Sequence, residues 1–218
     1  DEAYEQAGAT LVEHRDDILR HCDVILSHDS HYRGEDFGVP KSFIGFFNVL
    51  SDRPVVEPYK RPGISLYSLD LIPRTTLAQA MDVLSSVASI SGYQAVLLAA
   101  ERSLATVPMI TSAGGTLRPA RFLIMGAGVA GLQAIATSRR LGAIVRAYDV
   151  RSASRTEVES LGATFIEVEG AVEDKKAGGY AVEQTADHLE RVRQVIHQEA
   201  VLADVIITTA KIPGRKAP

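Results

Sequence analysis

Phe122-Leu123-Ile124-Met125-Gly126-Ala127-Gly128-Val129-Ala130-Gly131 is the stretch that decides the fold of this chain. An apolar run enters a glycine-rich turn, Leu132 to Ala136 continues as helix, and a second apolar run closes on Ala147-Tyr148-Asp149. The order is strand, glycine turn, helix, strand, with an acid at the tip of the second strand. Gly126 permits a tight turn, Gly128 keeps no side chain between the backbone and a pyrophosphate, and Gly131 lets the helix close on the sheet. The helix start adds free N–H groups and partial positive charge that suit phosphates. Three glycines alone form an ordinary turn in many α/β proteins. With both flanking elements, and an acid about twenty residues on, they form a dinucleotide fingerprint. Ala127 and Val129 complete the expected turn.

Asp149 bears on the choice of dinucleotide. A carboxylate there accepts from the ribose hydroxyls and repels a 2′-phosphate, which predicts NAD(H) rather than NADP(H). Arg146 and Arg151 lie near it and argue the other way. Arg146 lies within the strand, while Arg151 follows the acid beside Val150 and can flank the adenine.

Working outward, the chain from about 108 to its end alternates strand 121–125, helix 129–141, strand 143–149, helix 154–161, strand 163–168, helix 184–202 and strand 204–209. That alternation predicts a Rossmann-like, doubly wound parallel sheet. Thr209 and Ala210, at the end of the fourth strand, join the candidate cofactor-binding residues. Residues 1–72 read as a second, incomplete α/β domain of short elements: helix Glu2–Ala7, a strand-like Thr10-Leu11-Val12, helix Arg15–Arg20, strands at 23–27, 42–49 and 64–69, and a helical 55–60. Pro73 ends this region. From Leu77 to about Thr106 there is one glycine, Gly92, and no proline, which predicts one long helix linking the domains, with 73–107 as the connecting segment. Its Gln79, Asp82, Ser86, Ser89 and Tyr93 recur at helical spacing and would make one polar face. The short hydroxyls suit a ligand amide or ribose; the plainer account is a solvated face.

Bulk properties narrow the function classes. Of 218 residues 46% are hydrophobic, enough for one large or two small domains. The net charge of −4 and the lack of a basic cluster argue against nucleic acid. One cysteine, Cys22, rules out a disulfide within the chain, and it reads as half-buried and structural. The apolar runs are interrupted, so no membrane span is expected and the chain itself reads as soluble. His28 and His31 flank Asp29, but no third ligand lies within sequence reach, so no metal is expected. His188 and His197 read as surface positions. The start at Asp1, and only four of the usual six strands before Pro218, read as a chain cut at both ends.

The segment Pro73-Arg74-Thr75-Thr76-Leu77-Ala78-Gln79-Ala80-Met81-Asp82-Val83-Leu84-Ser85-Ser86 resembles the NAD(H)-binding component, domain I, of the proton-translocating NAD(P) transhydrogenases, relatives of alanine dehydrogenase. The resemblance runs through the chain and is strongest over Leu71–Tyr93, Arg121–Val168 and Gly178–Pro218. It implies that Arg74, Gln79 and Asp82 hold the nicotinamide and its ribose, with Ser85 and Tyr93 near the ring. It implies that Tyr180, after Gly178-Gly179, belongs to the family's mobile loop, and that Ile212-Pro213-Gly214 follows the fourth strand. The implied reaction is Re/Si-specific hydride transfer from NADH to NADP(H) on a partner domain, coupled to proton translocation by a transmembrane domain. The component would be a homodimer, peripheral to a bacterial or mitochondrial inner membrane. Three departures stand out: an extra glycine in Ser112-Ala113-Gly114-Gly115-Thr116, Lys211 at a usually apolar place, and Ser27-His28-Asp29 where lysine is common. Alanine dehydrogenase activity would need a lysine and a histidine where Ser27-His28-Asp29 and Phe47-Asn48-Val49 stand. A non-catalytic NAD-binding module is the other alternative.

Overall fold

In the computed structural model, residues 2–28, 40–73, 75, 77–168 and 185–210 are described, and they divide into two compact units with the boundary between Val83 and Leu84. The first unit holds helices α1 (Glu2–Gln6) and α2 (Arg15–His21) and strands β1 (Val24–Ser27), β2 (Lys41–Gly45) and β3 (Ile64–Ser68). The strands form a parallel sheet in sequence order, with Ile25 opposite Phe43 and Phe43 opposite Leu66. Its core is aromatic: Tyr59 meets Phe43 and Phe47 edge-on, with ring centroids 4.9 and 5.3 Å apart, and Leu19 and Ile25 close the cluster. The expected helix at 55–60 is a 3-10 segment, Arg53–Tyr59, which carries Pro58. Thr10-Leu11-Val12 forms no strand; these residues are exposed, and without a neighbouring ladder their β-branched character has nothing to pair with.

The second unit is a four-stranded parallel sheet, β8-β7-β6-β9, built from β6 (Arg121–Met125), β7 (Ile144–Tyr148), β8 (Thr164–Phe165) and β9 (Val205–Thr208). Register puts Phe122 against both Val145 and Val205. Strand alternation then sorts the faces. Phe122, Ile124, Val145 and Ala147 share a core with Ala134 and Ile135 of α4 (Val129–Arg140), Val158 of α5 (Ser154–Ser160) and Val96 of α3 (Val83–Arg102). Leu123, Tyr148 and Ile166 instead meet Val192, Val195 and Ile196 of α6 (Ala186–Leu202). Helices on both faces, and a strand order that reverses between β6 and β9, make this the doubly wound sheet that the sequence predicts.

The long helix is shorter than its sequence suggests. Gln79–Met81 is a separate 3-10 turn, Asp82 has ψ 80°, and regular helix begins only at Val83. Asp side chains compete for nearby backbone groups and favour such breaks. Gln79 and Asp82 are therefore not on one helical face with Ser86, Ser89 and Tyr93. At 20 residues with a mean hydropathy of 1.5, α3 is long and apolar enough by length and composition to cross a membrane, contrary to the sequence expectation. Core helices pass the same test, and its Val96 is wholly buried against the sheet. The extra glycine before the first Rossmann strand also has a place. Ile110–Ser112 (β4) and Gly115–Leu117 (β5) form an antiparallel hairpin, and Gly115 takes φ +127° at its turn.

Candidate nucleotide site

The turn between β6 and α4 lies at the C-terminal end of the sheet, beside the point where strand order reverses. Gly126 has φ +101°, a region closed to most L side chains, and its N–H donates to the Tyr148 carbonyl at 2.7 Å. A Cβ on Gly131 would lie 1.8 Å from the Gly126 carbonyl oxygen, so only glycine allows α4 to start this close to the turn. A Cβ on Gly128 would meet nothing within 4 Å. The structure thus keeps a bare backbone facing open space at the helix N-terminus, where the first-turn N–H groups have no intrahelical acceptor. Both features fit a pyrophosphate.

Two further elements brace the turn. Thr209 N donates to the Met125 carbonyl at 2.8 Å, and its Oγ1 lies 3.0 Å from the Gly126 carbonyl oxygen and 3.2 Å from that of Met125. Ala210 N comes within 3.0 Å of where a Gly126 Cβ would sit. At the tip of β7, Asp149 Oδ2 accepts from Ala127 N at 2.7 Å, while Oδ1 accepts from Arg151 N at 2.9 Å. Arg151 also donates from its side chain, Nε to Oδ1 at 2.9 Å and Nη2 to Oδ2 at 3.0 Å. Burial pushes the Asp149 carboxyl up, but the Arg151 guanidinium and the two backbone N–H groups outweigh it and hold the group below the ordinary carboxylate range. Asp149 is charged at neutral pH.

Arg146 is removed from this chemistry. Its Nε lies 2.6 Å from Glu199 Oε2 and its Nη2 donates to Oε1 at 2.8 Å, on the α6 side of the sheet. Beside Asp149 opens a cleft of about 340 Å³ lined by Val150, Ser152, Phe165, Ile166 and His188. The Arg155–Glu167 ion pair stands at it, with the Arg155 guanidinium 6.0 Å from the Phe165 ring centre. A second cleft, of about 300 Å³, sits between the first residues of β6 and β7 and the end of α6, away from the strands' C-terminal ends where α/β sheets hold ligands.

The described structure brings together Gly126, Ala127, Gly128, Val129, Gly131, Asp149, Val150, Arg151, Thr209 and Ala210 around one turn. It does not gather the remaining candidates there. Gln79 is exposed on its 3-10 turn and Asp82 ends that turn, both in the first unit. Ser85 and Tyr93 lie on α3, Ser85 half-buried and Tyr93 exposed. Arg74, Tyr180, Lys211 and the Ile212-Pro213-Gly214 loop lie outside the described residues, as do Asp29 and His31. Among the described residues no group of three His, Cys, Asp or Glu side chains is placed to hold a metal.

Two surface assignments are corrected. His188 is almost wholly buried and lines the cleft beside Asp149. It follows Thr185, whose side chain caps α6 by accepting from His188 N at 3.2 Å, and it begins the stripe continued by Val192, Val195 and Ile196. That helical spacing was the available signal. Cys22 is exposed rather than half-buried, just past the end of α2. Its carbonyl accepts from the buried Lys41 at 2.8 Å, a favourable place for a cation at a helix C-terminus. Gly92 was also missed as a contact: a Cβ there would fall 2.1 Å from the Ala130 carbonyl oxygen, at the first turn of α4.

A doubly wound sheet with a bare glycine turn and a charged acid at the next strand tip defines a Rossmann-type nucleotide-binding α/β protein. The particular family follows from comparison with known proteins. Family models described as the N-terminal and C-terminal domains of alanine dehydrogenase/PNT match residues 1–91 and 95–218, and the chain belongs to that family. It is 40% identical, over its whole length, to the first of the polypeptides that make up the NAD(P) transhydrogenase subunit alpha of Rhodospirillum rubrum, and covers 59% of that protein. It is 36% identical to the NAD(P) transhydrogenase subunit alpha of Cereibacter sphaeroides, covering 42% of it. The chain therefore spans little more than half the length of such relatives. Among solved structures, the transhydrogenase from Sinorhizobium meliloti superposes over the entire chain and 59% of its own, with a TM-score of 0.81 and 36% identity. An L-alanine dehydrogenase, at 18% identity and a TM-score of 0.71, shares the fold.

Proposed function

We propose that this chain is the NAD(H)-binding component of a proton-translocating NAD(P) transhydrogenase, acting beside a separate NADP(H)-binding domain and a transmembrane domain. The observation that carries nucleotide binding is the pairing of Gly128, open to its surroundings, with Asp149 held 2.7 Å from Ala127 N across the same turn. The choice of transhydrogenase within the family rests on the 40% identity over the whole chain.

When bound, NADH supplies a hydride from its C4, leaving NAD⁺ and converting NADP⁺ to NADPH. Such a transfer needs no protein nucleophile; the protein's task is to place two rings in contact and keep water out. In this reading the turn and the α4 N-terminus hold the pyrophosphate, and Asp149 accepts from the ribose. Val150 and Arg151 flank the adenine side. Gln79 and Arg74 orient the carboxamide and ribose, Asp82 steadies Arg74, Ser85 and Tyr93 line the ring, and Tyr180 closes over it. The complex would be membrane-associated and this component a dimer.

The test mixes the chain with the NADP(H)-binding component of a transhydrogenase and supplies NADH deuterated at C4 together with NADP⁺. Deuterium appearing in NADPH, without solvent exchange, is the expected result. Alanine-dependent NAD⁺ reduction by the chain with no second nucleotide would place it with the alanine dehydrogenases instead. Binding of NADH with no transfer would leave a nucleotide-binding module and contradict the catalytic reading.

A further inference from the structure

A carboxylate offers about four acceptor positions on its two oxygens, and all four on Asp149 are engaged within the protein. Oδ1 accepts from Arg151 N and Arg151 Nε, both at 2.9 Å; Oδ2 accepts from Ala127 N at 2.7 Å and Arg151 Nη2 at 3.0 Å. The two backbone donors and the two guanidinium donors differ in kind. Ala127 N and Arg151 N are fixed by the turn and by the end of β7, and they aim the carboxylate whatever else happens. The guanidinium is a side-chain fork on rotatable bonds, a third exposed where Asp149 is nearly buried. Its Nη2 also reaches the Ala127 carbonyl at 3.3 Å, so it spans the gap between the acid and the glycine turn.

A ribose that presents two hydroxyl donors to Asp149 needs two of those four positions, and only the guanidinium can yield them without dismantling the turn. We propose that Arg151 is the specificity-determining residue of this site: its guanidinium forms a latch on Asp149 that the ribose must displace, and it is a 2′-phosphate ligand held out of use by that same acid. The inference rests on the NAD(H) reading of the turn and deepens it. With Asp149 charged, the guanidinium is neutralised and the acid repels a 2′-phosphate. With Asp149 made neutral, the same cation sits at the ribose edge with its fork unopposed, and bidentate recognition of phosphate is what arginine does well. The acid and the arginine two residues on therefore act as one selectivity device, and the preference for NADH belongs to the pair.

The experiment is a double-mutant cycle on the 218-residue chain, titrating NADH and NADPH separately by nucleotide fluorescence into wild type, Arg151→Ala, Asp149→Asn and the double variant, with circular dichroism confirming that each is folded. Arg151→Ala is expected to bind NADH more tightly, by about three- to ten-fold, because removing a competitor raises the binding-competent fraction. Asp149→Asn is expected to gain NADPH affinity by about ten-fold or more, and the double variant to lose that gain. NADH binding weakened in Arg151→Ala would overturn the latch. An NADPH gain in Asp149→Asn that survives removal of Arg151 would overturn the phosphate role. Wild type that binds neither nucleotide would overturn the NAD(H) reading itself and this inference with it, a result distinct from either of those.

Discussion

Gly131 sits so tightly beneath Gly126 that a Cβ on it would fall 1.8 Å from the Gly126 carbonyl oxygen, whereas one on Gly128, three residues earlier, would touch nothing within 4 Å. Two glycines of one motif thus serve different ends, one packing and one access. Gly131→Ala is expected to lower stability by about 1–3 kcal/mol, since the helix start must shift to admit the methyl group. Gly128→Ala should change stability by less than about 0.5 kcal/mol, because its φ of −80° suits any residue and its surroundings are open. It should still weaken NADH binding at least about ten-fold by intruding on the pyrophosphate. Urea denaturation and nucleotide titration of both variants check the separation.

The same helix start is held from behind by α3. Gly92→Ala would drive a methyl group to 2.1 Å from the Ala130 carbonyl oxygen. A loss of about 1–3 kcal/mol is expected. Because Ala130 neighbours Gly131, the Gly92→Ala and Gly131→Ala effects should not add. A urea-unfolding cycle over the two single variants and the double variant measures the coupling.

The reach of the sequence can be judged from these elements. The glycine turn, the four strands and the α4, α5 and α6 helices were legible because period and punctuation agree there: apolar runs end on glycine or acid, and each helix carries one apolar stripe. Three things were not. The break at Asp82 hides in a segment without glycine or proline, where local polar competition rather than composition ends the helix. The hairpin at 110–117 is exposed on both strands and has no apolar alternation to announce it. The burial of His188 and the contact at Gly92 depend on which neighbour approaches, which no local window records. At the nucleotide site the acid was legible, but its latch by Arg151 was not, since a side-chain fork two residues along has no periodic signature.

In the first unit, Asn48 follows β2 with φ +50°, a left-handed conformation that asparagine tolerates better than most residues. Asp70 steadies this corner: its Oδ1 accepts from Phe47 N at 3.0 Å and from Ser68 Oγ at 2.7 Å. Asn48→Ala is expected to cost about 1 kcal/mol and Asn48→Gly less than that. Asp70→Ala should cost about 1–3 kcal/mol through the unsatisfied Phe47 N–H. Thermal denaturation compares all three.

Acid should expose a second carboxylate. Asp204 accepts from Arg118 Nη1 and Nη2 at 2.7 and 2.8 Å and from Arg121 N at 2.8 Å, which together bring its pKa down to about 2. A carboxyl lowered on folding adds stability that is complete above its unfolded value, near 4, and is lost as pH falls through about 2. Asp204→Asn should therefore be less stable than wild type at pH 7, and the two should converge below pH 2. Urea midpoints measured between pH 7 and pH 2 follow the gap; a constant difference would contradict the linkage.

That the turn and Asp149 together form an NAD(H) site is tested most directly by titrating the chain with NADH and with NADPH, and repeating both with Asp149→Ala. Saturable NADH binding is predicted, with NADPH weaker by about ten-fold or more and a loss of NADH affinity of at least about ten-fold in the variant. NADPH binding as tight as NADH in wild type, or NADH binding indifferent to Asp149, would contradict it.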